Sequence, residues 1–182
     1  MADAEEFLIE RTPTPLGEGV LISDHEGALR LFYWEDDTHR WKAALRQRYG
    51  DVALKEKKGK SDHAKALKRY FDGDIAAVDT LDVAFNGTPF QNKVWNALRK
   101  ISVGTTTSYG ALAKKIGKPD AVRAVGLANG QNPISLIVPC HRVIGSNGSL
   151  TGYGGGLPRK RWLLDHEARH TRNDLFSRKA AS

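Results

Sequence analysis

The chain has 182 residues, a formal net charge of +7 and a sequence pI near 9.6. It contains one cysteine, which excludes an internal disulfide and suits a reducing compartment, and no apolar stretch approaches the length of a membrane span. The acidic start, residues 1–6, is unlike a secretory signal peptide. We therefore expect an intracellular protein of one domain or two small ones, whose basic charge favours polyanionic partners such as nucleic acid without establishing one.

The amino-terminal part combines strand and helix patterns. Apolar and polar residues alternate between turn signals over residues 7–34, which predicts an antiparallel meander of about three strands. A four-residue apolar period predicts a helix over residues 37–49, and a second helix is predicted over residues 61–73 with Ser61 as its N-cap. The lysine-rich segment between them, residues 55–60, is predicted to be a basic loop.

A second unit is predicted to follow a change in composition over residues 79–87, a linker or last strand. Thr88, Pro89 and Gln91 form a strong helix start, because they can serve as N-cap, first helical residue and capping-box partner. The buried stripe of this helix is predicted to consist of apolar residues, namely Phe90, Val94, Trp95, Leu98 and Ile101.

Two short helices joined by a tight turn are predicted over residues 108–117 and 118–130, the outline of a helix-turn-helix. Many α-rich domains contain such corners. The second helix is rich in small residues, including Ala124 and Gly126, and carries one long cation, Arg123. Such a helix either packs tightly inside the protein or lies in a DNA groove, where a single side chain can enter the base stack.

The single cysteine, Cys140, follows an apolar run, residues 134–138, that predicts a buried strand ending at Pro139. A lone cysteine often only packs in a core, but His141 and Arg142 place a base and a permanent cation beside this one. Neighbouring residues on an extended chain point to opposite faces. His141 can therefore reach the thiol only if the backbone turns or a water bridges the two groups.

Glycines mark the segment after the cysteine. Asn147 and Gly148, flanked by apolar residues, predict a two-residue hairpin. The run over residues 152–156 lets the backbone lie against a flat ligand, with Tyr153 as a cover, or serves as a flexible hinge. It lacks the lysine and hydroxyl of a nucleotide-binding loop.

A final helix is predicted to start at Pro158. Glu167, on this helix, is either a solvated charge or a partner of the histidine. Residues 169–182 are basic and lack a sustained apolar period, so they are predicted to form a flexible tail.

Several of these motifs, in this order, resemble the O6-alkylguanine-DNA alkyltransferases, densely over residues 85–168 and only in outline before them. They are Tyr109, residues 123–129, Asn132, Pro133, residues 139–143, residues 146–148, Gly152, Tyr153, Leu163, Leu164 and Glu167. The resemblance implies an α/β domain over residues 1–84, a small antiparallel sheet with helices that is ribonuclease-H-like. It also implies a mainly helical DNA-binding and active-site domain with a helix-turn-helix over residues 85–168, followed by the tail.

The implied function is direct reversal of DNA damage without a cofactor. The Cys140 thiolate would take the alkyl group from guanine O6, once per protein molecule, because no second cysteine can release it. By resemblance His141 would accept the thiol proton through a water, Glu167 would orient the imidazole, and Asn132 would brace the turn before the cysteine. These groups together predict a lowered thiol pKa.

The implied partner is double-stranded DNA containing O6-alkylguanine, bound from the minor groove with the damaged base flipped out. Arg123 would replace that base, and Tyr109 would crowd its phosphate. The resemblance implies that further residues contact DNA, namely Ala124, Gly126, Ser146 and Gln91. It also implies that the flipped base is contacted by Tyr109, Val143, Tyr153, Gly154 and Gly155. The protein would act as a monomer, in the cytoplasm of a bacterium or the nucleus of a eukaryote; activity on O4-alkylthymine and cooperativity along DNA stay open.

Two departures from the family pattern stand out. Some relatives bind a structural zinc through amino-terminal cysteines, but this part of the chain offers only His25, His39 and His63, so we predict no metal. Gly154 stands where several relatives carry a side chain against the base, which leaves the substrate range open. Two rivals also stay open: a cysteine hydrolase using Cys140, and a DNA-binding regulator whose cysteine is incidental.

Overall fold

A four-stranded sheet forms the amino-terminal part of the computed structural model, which describes the backbone of residues 5–180 and the side chains of residues 5–171. Its strand order is β3-β2-β1-β4. The strands are β1 (Glu6–Thr14), β2 (Gly17–Ser23), β3 (Leu29–Trp34) and β4 (Ala53–Glu56). The first three form the predicted antiparallel meander.

The fourth strand corrects the prediction of a purely antiparallel sheet, because β4 pairs in parallel with β1. Parallel neighbours need a long crossover, and helix α1 (Thr38–Tyr49) supplies it. Lys55 and Glu56, predicted to lie in a basic loop, belong to this exposed edge strand.

Helix α2 (Asp62–Phe71) completes this part, and the carboxyl-terminal part is mainly helical. The Ser61 hydroxyl accepts the amide of Ala64, as predicted for an N-cap. The later helices are α3 (Pro89–Leu98), α4 (Tyr109–Lys115), α5 (Val122–Gly130) and α6 (Leu157–Ala180), and a short parallel pair joins β5 (Thr107–Ser108) to β6 (Val143–Ile144). The capping box at Thr88 and Gln91 is complete, and Ile101 is buried just beyond α3.

The hairpin predicted after the cysteine is wrong. Asn147 and Gly148 lie in a turn closed by Gly145 and Ser149, but β6 pairs with β5 rather than with a following strand, so there is no hairpin. Helix α6 runs to Ala180, through most of the predicted tail, since no glycine or proline follows Pro158; the flexibility of this tail stays a prediction. Residues 1–4 and 181–182 of the predicted amino-terminal segment and tail lie outside the described residues.

The sheet packs on both faces, with alternate residues of each strand pointing to opposite sides. Val20, Ile22 and Leu31 meet Trp41 and Leu45 of α1 in a smaller core. The opposite face enters the main core, which is shared with the carboxyl-terminal part; its members include Leu21, Phe32, Trp34, Trp95, Val138, Cys140 and Leu163. One continuous core therefore crosses the boundary predicted at residue 84. No helix in the described residues is both long and apolar enough to span a membrane.

Candidate active site

The chain before the cysteine is a buried turn, not the predicted strand. Leu136 has a φ of 70°, and Val138 N–H donates to the Ile134 carbonyl at 3.0 Å, so the segment bonds mainly to itself. Asn132 Nδ2 donates to the Val138 carbonyl at 2.8 Å, and its Oδ1 accepts from Ile134 N–H at 3.0 Å. Two side-chain hydrogen bonds thus replace a strand partner, and Asn132 occupies the position predicted for a brace.

The turn is hydrogen-bonded to the sheet at one residue, Phe32. Phe32 N–H in β3 donates to the Pro133 carbonyl at 2.9 Å, and Ser135 N–H donates back to the Phe32 carbonyl at 3.2 Å. Beyond the turn, Cys140–Arg142 form one turn of 3-10 helix. The backbone between Cys140 and His141 is therefore not extended, which meets the geometric condition for the two side chains to act together.

Cys140 lines a small, partly enclosed cavity. Its lining combines residues of both parts of the chain: Arg40, Asn129, Gly130, Asn132, Ser135, Cys140, Gly152, Tyr153 and Gly154. The cysteine is 4% exposed and the two asparagines are 3% exposed, whereas Gly130 and Gly152 are exposed. The sulfur therefore belongs to the inner end of the cavity and the glycines to its rim.

The environment of the thiol overturns the prediction of a lowered pKa. Burial raises the pKa of Cys140 above its ordinary value. A hydrogen bond from Asn132 and the positive charges of Lys160 and Arg40 favour the thiolate, but they only partly offset burial. A neutral thiol needs a base to remove its proton before it can attack.

Glu167 collects four hydrogen bonds behind the cysteine. Its carboxylate accepts from His141 Nε2 at 2.7 Å, from the Tyr70 hydroxyl at 2.8 Å, and from Arg142 Nε and Nη2 at 2.9 Å each. Burial alone would raise the pKa of Glu167, but His141 and Arg142 together hold it well below its ordinary value. At 1% exposure Glu167 is not a solvated helix charge.

His141 is left with one free nitrogen. Because the ionised Glu167 can only accept, Nε2 carries a proton, and Nδ1 has a lone pair whenever the imidazole is neutral. Nδ1 is buried and has no hydrogen-bond partner among the described residues. Cys140, its chain neighbour His141 and the acid bonded to that histidine are therefore candidates for nucleophile, base and orienting acid.

Helix α5 presents a small-residue face to solvent. Arg123 and Ala124 are exposed, and Leu127 is 65% exposed, whereas Val125 and Ala128 enter the core. Tyr109 lies against this helix, since a Cβ on Gly126 would be 3.8 Å from its Cδ1 atom. Arg123, Ala124 and Leu127 therefore do not pack inside the protein.

The other predicted residues are spread around this region. Gln91 caps α3 and donates to Gln131 at 2.9 Å, and Ser146 is exposed in the turn before α6. The Val143 side chain is fully buried, so only its backbone could meet a ligand. A Cβ on Gly155 would lie 2.6 Å from Trp34 Nε1, so this glycine allows a close approach to the sheet.

Two cations were missed by sequence reasoning. Arg40 of α1 donates to the Gly154 carbonyl at 2.8 Å and to the Gly130 carbonyl at 3.1 Å, which ties the rim of the cavity to the sheet domain. Lys160 is fully buried and donates to the carbonyls of Val143 at 2.6 Å and Thr151 at 2.8 Å. The sequence around Arg40 and Lys160 did not mark either residue as part of a site, because an arginine or lysine on a helix is usually solvated.

The amino-acid sequence is similar to those of known proteins. Residues 89–169 match the family model described as 6-O-methylguanine DNA methyltransferase, DNA binding domain. The chain is 48% identical over 166 residues to the methylated-DNA–protein-cysteine methyltransferase of Salmonella typhimurium, covering 88% of this chain and 95% of that protein. A protein of the same name from Methanosarcina acetivorans is 42% identical over 154 residues, covering 85% of this chain and 94% of that one.

A solved structure extends the likeness to the fold. Mycobacterium tuberculosis OGT in complex with DNA superposes with a TM-score of 0.73 at 38% identity, covering 91% of this chain and 94% of that one. An α/β amino-terminal part and a helical carboxyl-terminal part are common to both. Because the likeness spans nearly the whole of each protein, this chain belongs to the methylated-DNA–protein-cysteine methyltransferase family.

Proposed function

We propose that this protein repairs O6-alkylguanine in DNA by moving the alkyl group irreversibly to its own Cys140. The observation that carries the proposal is the cavity lined by the single cysteine, whose chain neighbour His141 is hydrogen-bonded to Glu167. Family membership supports the same reaction. O4-alkylthymine is a second substrate that the same displacement could serve.

The chemistry follows from the buried neutral thiol. As Sγ attacks the alkyl carbon, the sulfur–carbon bond forms, the carbon–O6 bond breaks, and the electron pair passes to guanine, which takes up a proton from solvent at N1. The thiol proton goes to His141 Nδ1 through a water, and Glu167 stabilises the resulting imidazolium. The raised thiol pKa is the reason that this base is required.

The reaction ends after one transfer. A thioether is a poor leaving group, and the chain has no second cysteine to displace it. The alkylated base is itself the activated reagent, so the step needs no cofactor. Each protein molecule is therefore consumed by one lesion.

DNA must deliver the base outside the stack, because Cys140 is only 4% exposed. We place α5 in the minor groove, with Arg123 filling the space of the flipped nucleotide and Tyr109 beside its phosphate. The small residues Ala124 and Gly126 let the backbone approach closely. In this proposal α4 and α5 form the helix-turn-helix.

The other predicted contacts remain part of the proposal. Ser146 and Gln91 would meet the DNA backbone, the Val143 main chain and Tyr153 the base, and Gly154 and Gly155 the edge of the cavity. The strand order β3-β2-β1-β4, with α1 as the crossover, supports a ribonuclease-H-like assignment for the sheet. We propose a monomer that works wherever the genome lies, in the cytoplasm of a bacterium or the nucleus of a eukaryote.

The test is the stoichiometry of transfer from a duplex carrying labelled O6-methylguanine. We expect intact-protein mass spectrometry to show one methyl group per molecule, on Cys140, and no transfer to Cys140→Ser. Continued turnover would identify a cysteine hydrolase instead. Unchanged repair by Cys140→Ala would mean that the cysteine is incidental.

A further inference from the structure

Asn129 carries a polar atom that nothing in the fold explains. It lies at the end of α5, is 3% exposed and lines the cavity with Cys140. Its Oδ1 atom is buried and has no hydrogen-bond partner among the described residues. Buried acceptors are rarely left unpaired, because they lose their hydrogen bonds to water without compensation.

The other asparagine of the cavity shows what a structural role looks like. Asn132 uses Nδ2 on the Val138 carbonyl and Oδ1 on Ile134 N–H, and both bonds hold the turn before the cysteine. Asn129 Oδ1 makes no hydrogen bond of this kind among the described residues. Its Oδ1 atom therefore lacks a hydrogen bond that a group entering the cavity would supply.

The position of Asn129 identifies which part of a substrate it meets. Asn129, Asn132, Ser135 and Cys140 are the buried members of the lining, whereas Arg40 and the glycines form its more exposed part. During the displacement the transferred carbon must come within about 3–3.5 Å of the sulfur. The alkyl group, rather than the sugar side of the base, therefore occupies the end of the cavity where Asn129 lies.

We infer that Asn129 is a specificity-determining residue, whose Oδ1 accepts a hydrogen bond from a donor carried by the alkyl group. The cavity then favours hydroxyalkyl groups over purely aliphatic groups of the same size. An aliphatic chain that fills the inner end covers the acceptor without pairing it. A hydroxyl at the same place restores the lost bond. This inference rests on the proposed alkyl transfer and names the substrate class that the same site prefers.

Two matched lesions test it: duplexes of one sequence carrying either O6-(2-hydroxyethyl)guanine or O6-propylguanine. They share the reacting carbon and differ only in the terminal hydroxyl or methyl group. We expect Asn129→Leu to lower the ratio of the single-turnover rate constants, hydroxyethyl over propyl, roughly tenfold relative to the unsubstituted protein, the effect of losing one buried hydrogen bond. Asn129→Ala should lower it in the same direction if the leucine does not fold.

Gln131→Leu is the matched control, because it makes the same kind of replacement two residues further along, at the exposed end of α5. It should leave the ratio unchanged. A ratio for both Asn129 variants within twofold of the unsubstituted protein would overturn the inference. Methyl transfer from O6-methylguanine by the unsubstituted protein separates the two claims: its absence would overturn the proposed function itself, whereas its presence with an unmoved ratio overturns only the role of Asn129.

Discussion

Glu167→Gln should destabilise the protein strongly, although the two side chains have nearly the same shape. The substitution removes the negative charge from a buried group that pairs with Arg142, itself 2% exposed. The amide also turns one acceptor into a donor, so it cannot accept all the bonds from Arg142, His141 and Tyr70. Arg142 would keep its bond to the Ile101 carbonyl at 2.8 Å but lose its counter-charge.

The expected size follows from that unpaired cation. Removing one partner of a buried ion pair costs about 3–5 kcal/mol, a large part of the roughly 5–15 kcal/mol that a folded domain has. For a chain of this length each kcal/mol shifts the melting temperature by about 2–4 °C, so a fall of about 6–20 °C is expected. Urea denaturation and calorimetry measure both quantities.

The control is Glu10→Gln, another buried carboxyl. Glu10 is 9% exposed, and its Oε1 accepts only the Ser61 amide at 3.1 Å among the described residues. An amide oxygen can accept that bond, so a loss of about 1 kcal/mol or less is expected. Equal losses in the two variants would refute the reasoning about the buried charge.

The same pair predicts a dependence on pH. The pKa of Glu167 is lower in the folded protein than the unfolded value near ~4.3. Its contribution to stability is therefore complete above that pH and is lost as the pH falls through the folded-state pKa. The difference between the parent protein and Glu167→Gln should shrink in acid, and a constant difference down to acidic pH would contradict the assignment.

Three further outcomes are expected. Arg123→Ala should slow repair of duplex DNA about tenfold or more, since base extrusion costs a few kcal/mol, yet leave the reaction with free O6-benzylguanine nearly unchanged; equal losses would refute its role. Gly155→Ala should lower the unfolding free energy by about 1–3 kcal/mol, because its Cβ would meet the buried Trp34, whereas Gly110→Ala, which meets nothing within 4 Å, should not. The thiolate absorbance of Cys140, measured as the difference from Cys140→Ser, should keep rising above pH ~8.5, because burial raises the thiol pKa; a titration complete below that pH would contradict it.

Local sequence determined the helix starts. Ser61, Thr88 and Ser108 each accept a backbone amide three residues ahead, so the signal and its partner lie within one turn. The sequence also singled out Cys140 and its two basic neighbours, His141 and Arg142. A thiol, an imidazole and a guanidinium next to one another in the chain can be identified from residue type alone, before any fold is known.

Tertiary structure decided how those groups are arranged. The run before Cys140 has the composition of a strand, but Asn132 supplies the bonds of a strand partner and the chain turns instead. Glu167 meets His141 across 26 residues, and Arg40 reaches Gly154 across 114. No periodic pattern encodes such contacts, because they form only when the shared core brings distant segments together. Burial in that core also raises the pKa of the Cys140 thiol, which the sequence analysis predicted to be lowered.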